Sequence, residues 1–214
     1  MRYKAVIFDL DGTLLDTLDD LSDAGNRALA AHGFPTHPPE AYRYFVGDGM
    51  RSLCQRILGN HATPDNIEKV QQAFAADYAQ NSAVKTAPYD GIPALLGALK
   101  TRGLPLAVLS NKPDSMTCQV IERYFPGVFT IARGQQEGIP RKPAPDGALA
   151  IIKQLKLPES QILYIGDSGV DMQTAQNAGL FAVGVLWGFR TAEELLKQGA
   201  DALVMTPGEI LKLL

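Results

Sequence analysis

Tyr3-Lys4-Ala5-Val6-Ile7-Phe8-Asp9-Leu10-Asp11-Gly12-Thr13 is the stretch from which the fold can be read. Its first six residues form a short apolar run with β-branched and aromatic side chains, and charge and glycine stop the run at Asp9-Leu10-Asp11-Gly12. That pattern predicts a buried strand opening into a loop. From Leu18 the period changes: Leu18, Leu21, Gly25, Ala28, Leu29 and Ala31 recur at helical spacing until Gly33 and Pro35. Helical patterns continue over residues 44–58 and 66–78, and no convincing strand falls between 37 and 84.

After Pro88-Tyr89-Asp90-Gly91 the texture alternates. Apolar runs at residues 104–109, 128–132, 161–165, 181–185 and 202–204 are separated by helical stretches at 92–102, 114–124, 146–155, 172–178 and 192–197. Strands alternating with helices of this length imply right-handed crossovers and a parallel sheet covered on both faces. The strands are almost continuously apolar, as buried parallel strands are. The isolated first strand has no partner among the helices that follow it, so it is expected in the later sheet. The helical part is then an insertion into an α/β domain.

The 214 residues are 46% hydrophobic and 20% charged, an ordinary globular composition. Lys and Arg number 20 against 23 Asp and Glu, a net charge of −3 that argues against a broad nucleic-acid or anionic-membrane surface. Cys54 and Cys118 make neither a disulfide framework nor a zinc pattern. The N-terminal residues lack the apolar stretch of a signal peptide, and no run approaches the ~18 apolar residues that span a bilayer. A reduced, cytoplasmic protein with no nucleic-acid or membrane partner is expected.

In open α/β sheets, ligands bind beyond the carboxyl ends of the strands. There the sequence places Asp9, Asp11, Gly12 and Thr13 after the first strand, Ser110, Asn111 and Lys112 after the second, and Gly166, Asp167, Ser168 and Asp171 after the run at 161–165. Any one of these loops is as readily explained by helix capping and turn geometry. Three together bring four carboxylates to one edge, a self-repelling cluster unless a cation or a shared proton offsets it. Oxygen donors with room for water suit Mg²⁺. The histidines, His32, His37 and His61, all fall in the helical section and are assigned no role.

The strand followed by Asp9-Leu10-Asp11-Gly12-Thr13 resembles the first motif of the haloacid dehalogenase superfamily, and Ser110-Asn111 resembles the second. Lys142 in Arg141-Lys142-Pro143-Ala144-Pro145 resembles the third, and Gly166-Asp167-Ser168-Gly169-Val170-Asp171 the fourth. The resemblance spans the chain and implies a Rossmann-like doubly wound core of residues 1–15 and 85–214, with a helical cap of the C1 type at 16–84. The flanks of these motifs are most similar to the phosphoglycolate phosphatase-like branch.

By the same resemblance, Asp9 is the nucleophile and Asp11 the general acid and base, and Lys142 offsets the charge of the nucleophile and the phosphoryl oxygens. Gly12, Thr13, Ser110 and Asn111 fall in the motifs that hold the phosphate. Mg²⁺ would be bound by Asp9, Asp167 and the backbone carbonyl of Asp11, with Asp171 supporting Lys142 or a metal-bound water from behind. Phe45-Val46-Gly47-Asp48-Gly49-Met50-Arg51 looks like a loop in which the backbone turns sharply, and Arg51 is the candidate for a substrate carboxylate or other anion, although an exposed arginine at a helix start explains it at least as well.

The expected activity is Mg²⁺-dependent hydrolysis of a small phosphomonoester, 2-phosphoglycolate first, by a monomer or homodimer. Alternatives are a β-phosphoglucomutase-like sugar phosphomutase, in which a histidine usually stands near the position of Leu21, an inorganic pyrophosphatase, and a non-catalytic relative that has lost a catalytic residue.

Overall fold

The computed structural model describes residues 2–214. The chain forms β1 (Ala5–Phe8), β2 (Leu15–Asp16), α1 (Leu18–Ala31), α2 (Tyr42–Phe45), α3 (Met50–Leu58), α4 (Pro64–Asn81) and β3 (Ala87–Pro88). It continues through α5 (Ile92–Thr101), β4 (Leu106–Pro113), α6 (Asp114–Tyr124), β5 (Ile131–Gln135), α7 (Asp146–Leu155) and β6 (Ile162–Gly166), then α8 (Gly169–Asn177), β7 (Phe181–Val185), α9 (Ala192–Lys197) and β8 (Ala202–Val204), and closes with a 3-10 helix at Pro207–Lys212. Two compact units result: the chain up to Leu15 with Pro88–Leu214, and Asp16–Ala87.

The first unit is a six-stranded sheet of order β5-β4-β1-β6-β7-β8, parallel at every pairing. The period of two divides its core. Val6, Phe8, Leu106, Val108, Leu163 and Ile165 pack on one face against α5 and α6. Ala5, Ile7, Ala107, Leu109, Ile162 and Tyr164 pack on the other against α7, α8 and α9. This two-sided burial is why the strands read as unbroken apolar runs.

The second unit is helical. Arg27 of α1 clasps Asp77 of α4 through both carboxylate oxygens, at 2.6 and 2.7 Å. The unit reaches Ala87 because the buried Asp20 carboxylate accepts the backbone N–H groups of Val84, Lys85 and Thr86, the last at 2.8 Å. The helical stretch predicted over residues 44–58 divides at the sharp loop expected over residues 45–51. Gly47 and Gly49 take φ of +123° and +83°, so the backbone turns between α2 and α3.

Two other boundaries differ from expectation. β4 stays extended to Pro113, with a shift of register against β5 between Leu109 and Pro113, so Ser110, Asn111 and Lys112 lie within the strand. The strand predicted at 128–132 forms three residues later, as β5. No helix among the described residues is long and apolar enough to cross a membrane.

Candidate active site

From β1 the chain winds outward to β4 and β5, then returns to β6 on the other side of β1 and winds away to β7 and β8. The order therefore reverses between β1 and β6, which opens a crevice at their carboxyl ends. Asp9 follows β1 and Asp167 follows β6, one on each side of it.

Asp9, Asp167 and Asp171 each bring a carboxylate oxygen within 4.8 Å of the others, and all three are buried. Lys142 Nζ reaches into the group, 2.8 Å from Asp9 Oδ1 and 2.7 Å from Asp171 Oδ1. Asn111 sets this lysine in place: its Nδ2 donates to the Lys142 carbonyl at 3.1 Å, and its Oδ1 accepts the Lys142 N–H at 2.9 Å. The Asn111 amide is thus turned to the Lys142 backbone, although the motif resemblance put it among the phosphate-holding residues. Asp171 is fixed in turn. Its Oδ1 also accepts from Tyr164 Oη at 3.2 Å, and its Oδ2 accepts from Ser168 N and Oγ at 3.1 and 2.5 Å. The same Ser168–Asp171 exchange is the capping box that starts α8.

Asp167 lies in a fitted cradle. Thr13 Oγ1 donates to its Oδ1 at 3.3 Å and Phe189 N to its Oδ2 at 2.7 Å. A Cβ on Gly12 would collide with the Asp167 carboxyl, and one on Gly188 would collide with Asp167 and the Gly12 carbonyl. Gly12 also has φ +87°, a backbone state that favours glycine. Trp187 Nε1 ties the two loops by donating to the Thr13 carbonyl at 3.0 Å.

Asp11 points elsewhere. Both of its oxygens lie 2.8 Å from Lys112 Nζ at the end of β4, in an ion pair whose side chains are 14% and 5% exposed. Ser110 Oγ accepts the Lys112 N–H at 3.1 Å, which pins that strand end.

Charge in the crevice is under strain. Burial, reinforced by Asp171, Lys142 being too little compensation, and by Asp167, holds the Asp9 carboxyl well above the usual carboxylate range. Burial and Asp171 likewise push Asp167 up to about 7, against the Phe189 N–H, Arg190 and Lys142. Burial works against the Lys142 charge, but Asp171 and Asp9 outweigh it and keep its pKa well above 10.5. Carboxylates reluctant to ionise together, with oxygen as the donor element, fit a hard divalent cation. Each Asp171 oxygen already takes two donors, so Asp9 and Asp167 are the better placed to bind one.

The structure thus gathers Asp9, Asp11, Gly12, Thr13, Ser110, Asn111, Lys142, Asp167 and Asp171 at one sheet edge. Arg51 belongs to the other unit, exposed in the first turn of α3. The sequence reading assigned no part to Tyr164, Trp187, Gly188 or Phe189, and none to the side chain of Lys112. For Lys112 a signal existed, a charge directly behind the second motif. The others are joined to the site across 7 to 174 positions, where spacing carries no signal.

Residues 6–185 match the family described as haloacid dehalogenase-like hydrolase. The N-acetylmuramic acid 6-phosphate phosphatase of Pseudomonas aeruginosa is 33% identical over 216 residues, covering 100% of this chain and 96% of that protein. The phosphoglycolate phosphatase of Aquifex aeolicus is 29% identical over 212 residues, covering 99% and 96%. A solved structure of a phosphoglycolate phosphatase candidate from Lactobacillus delbrueckii subsp. bulgaricus has a TM-score of 0.96 at 36% identity, covering 100% of this chain and 98% of that one.

Proposed function

Because the chain belongs to the haloacid dehalogenase-like hydrolase family and is a phosphoric monoester hydrolase, we propose that its substrate is a small phosphomonoester bearing a carboxylate, 2-phosphoglycolate first. The observation that carries the reading is the Lys142 ammonium between Asp9 and Asp171, with Asp167 in the same buried cluster at the sheet's reversal point. N-Acetylmuramic acid 6-phosphate, named for the Pseudomonas relative, is the second candidate and also carries a carboxylate.

In the reaction, an Asp9 oxygen attacks phosphorus in line. The bond from phosphorus to the ester oxygen breaks, and that oxygen takes the proton carried on one Asp11 oxygen while Lys112 keeps the other. Water then gives a proton to Asp11 and attacks the aspartyl phosphate, releasing inorganic phosphate and restoring Asp9. One hard displacement becomes two easier ones. Lys142 neutralises Asp9 and the equatorial phosphoryl oxygens, where transition-state charge gathers. Ser110 keeps its hydroxyl proton for a phosphoryl oxygen, whereas Thr13, wholly buried with Oγ1 on Asp167, braces that carboxylate instead. Asn111 keeps Lys142 in place, Asp171 orients it from behind, and Gly12 lets the Asp167 carboxyl sit against the backbone.

Mg²⁺, held by Asp9, Asp167 and the Asp11 carbonyl, would supply the positive charge that the crevice lacks. The helical unit Asp16–Ala87 carries Arg51, the candidate for the substrate carboxylate. The free cysteines Cys54 and Cys118 accord with a cytoplasmic enzyme.

The test is a panel of 2-phosphoglycolate, N-acetylmuramic acid 6-phosphate, β-glucose 1-phosphate and pyrophosphate with Mg²⁺, run on the native enzyme and on Asp9→Asn. Phosphate release from a carboxylate-bearing ester is expected, with kcat lowered at least about a thousandfold in the variant. A folded Asp9→Asn protein with most of its activity would overturn the mechanism. Conversion of β-glucose 1-phosphate to the 6-phosphate, or preference for pyrophosphate, would overturn the substrate class.

A further inference from the structure

We propose that Lys112 is the positioning residue for Asp11: it draws that one carboxylate away from the acidic cluster and holds it at the end of β4. The inference rests on the reading of Asp11 as general acid and base.

Four carboxylates meet at this sheet edge, and two lysines pair with three of them, Asp167 being held by Thr13 and the Phe189 N–H instead. Lys142 takes Asp9 and Asp171. Lys112, from the neighbouring strand and 101 positions away from its partner, takes both oxygens of Asp11. Asp11 stands two residues after Asp9 on one loop and turns on a short, flexible side chain. Without a second cation, the attraction that would capture it is the one that already holds Asp9: Lys142, or a bound metal. The cluster whose oxygens lie close enough to share a metal contains Asp9, Asp167 and Asp171, and Asp11 is outside it. The Lys112 pair accounts for that separation.

Lys112 is itself constrained. It lies in the extended end of β4, its N–H is bonded to Ser110 Oγ, and its side chain is 5% exposed. The residue is therefore too buried to be a solvated surface charge, and an exposed pair of this kind would be worth little. General acid catalysis requires the acid within hydrogen-bond reach of the departing oxygen, and a displacement of about 1 Å can cost about a hundredfold. An Asp11 side chain released from Lys112 loses that placement even though the residue is intact.

A double-mutant cycle tests this on the full-length enzyme with Mg²⁺ and 2-phosphoglycolate, or the best ester of the panel. Lys112→Met is expected to lower kcat about a hundredfold while KM changes less than about threefold. Lys112→Arg, which keeps the charge and guards against a folding defect in the first variant, should recover most of kcat. In an Asp11→Asn background, Lys112→Met should change kcat by less than about twofold, because its effect acts through Asp11. Multiplicative losses in the double variant, or a rise in KM with kcat intact, would overturn the positioning role while leaving the acid–base reading in place. An Asp11→Asn enzyme with native kcat would overturn both.

Discussion

Lys142 Nζ stands 2.8 Å from Asp9 Oδ1, so the carboxylate proposed to attack phosphorus is already paired with the cation proposed for the phosphoryl group. The same ammonium is bound to Asp171, whose side chain is wholly buried and anchored by Ser168 at the start of α8. Asp9, Lys142 and Asp171 thus come from the loop after β1, the loop before α7 and the first turn of α8, and form one ion network. Its geometry is set by helix capping and by the Asn111 brace.

Removing the middle of that network should be costly. Lys142→Met leaves Asp9 and Asp171 buried without their cation, and broken buried pairs cost about 3–5 kcal/mol. The loss should be greatest near pH 8 and should shrink toward pH 5, because burial and neighbouring acids hold the Asp9 and Asp167 carboxyls above the usual range and favour their protonation as pH falls. Urea unfolding at both pH values measures it, with phosphatase activity lost at each. Equal stability of variant and native protein at pH 8 would refute the ion network as a unit.

Magnesium affinity should depend on pH. Asp167 has a folded pKa of about 7 against an ordinary 3.8, so between these values the metal-free folded protein holds a proton that the unfolded chain has released. Its contribution to stability is present at low pH and falls as pH rises toward 7, and Asp9 acts in the same direction. A cation must displace those protons, so the Kd for Mg²⁺ should weaken below pH 7, approaching about tenfold per unit for one proton. Calorimetric titration from pH 5 to 8 checks this. A constant Kd would contradict it.

Gly188→Ala places a methyl where Asp167 and the Gly12 carbonyl already sit. The cradle must open, at about 1–3 kcal/mol, and the displaced carboxylate should weaken Mg²⁺ binding about 10- to 100-fold. The Mg²⁺ concentration for half-maximal activity is the readout. It should rise while activity at saturating Mg²⁺ falls less.

Arg51→Ala separates substrate recognition from chemistry. Loss of a charged hydrogen bond to the substrate carboxylate should raise KM for 2-phosphoglycolate about tenfold, with kcat within about twofold. KM for p-nitrophenyl phosphate, which has no carboxylate, should stay unchanged. Equal shifts for both esters would remove Arg51 from recognition and leave it as an exposed first-turn residue of α3.

Much of the fold was legible because buried parallel strands announce themselves: the runs that became β1, β6, β7 and β8 are apolar on both faces. The break at residues 46–49 is a tertiary outcome in a segment of helical period, and Gly47 and Gly49 were its local sign. Ser110, Asn111 and Lys112 are polar enough to resemble a loop, yet β4 carries them because the crevice, not solvent, receives their side chains. The acids of the site could be read because their motifs are local. The partners Tyr164, Trp187 and Phe189 could not, because each meets the site only after the sheet is assembled, and the charge of Lys112 stood behind the second motif without showing that Asp11 would be its partner.

The most direct measurement is to quench the enzyme in acid during turnover of 2-phosphoglycolate, or of the best ester found, and to map the digested peptides by mass spectrometry. One phosphoryl group is expected on the peptide that contains Asp9, at that residue, and none in Asp9→Asn. A phosphoryl group on another residue, or rapid turnover by the Asp9→Asn enzyme with no modified peptide, would contradict the covalent role of Asp9.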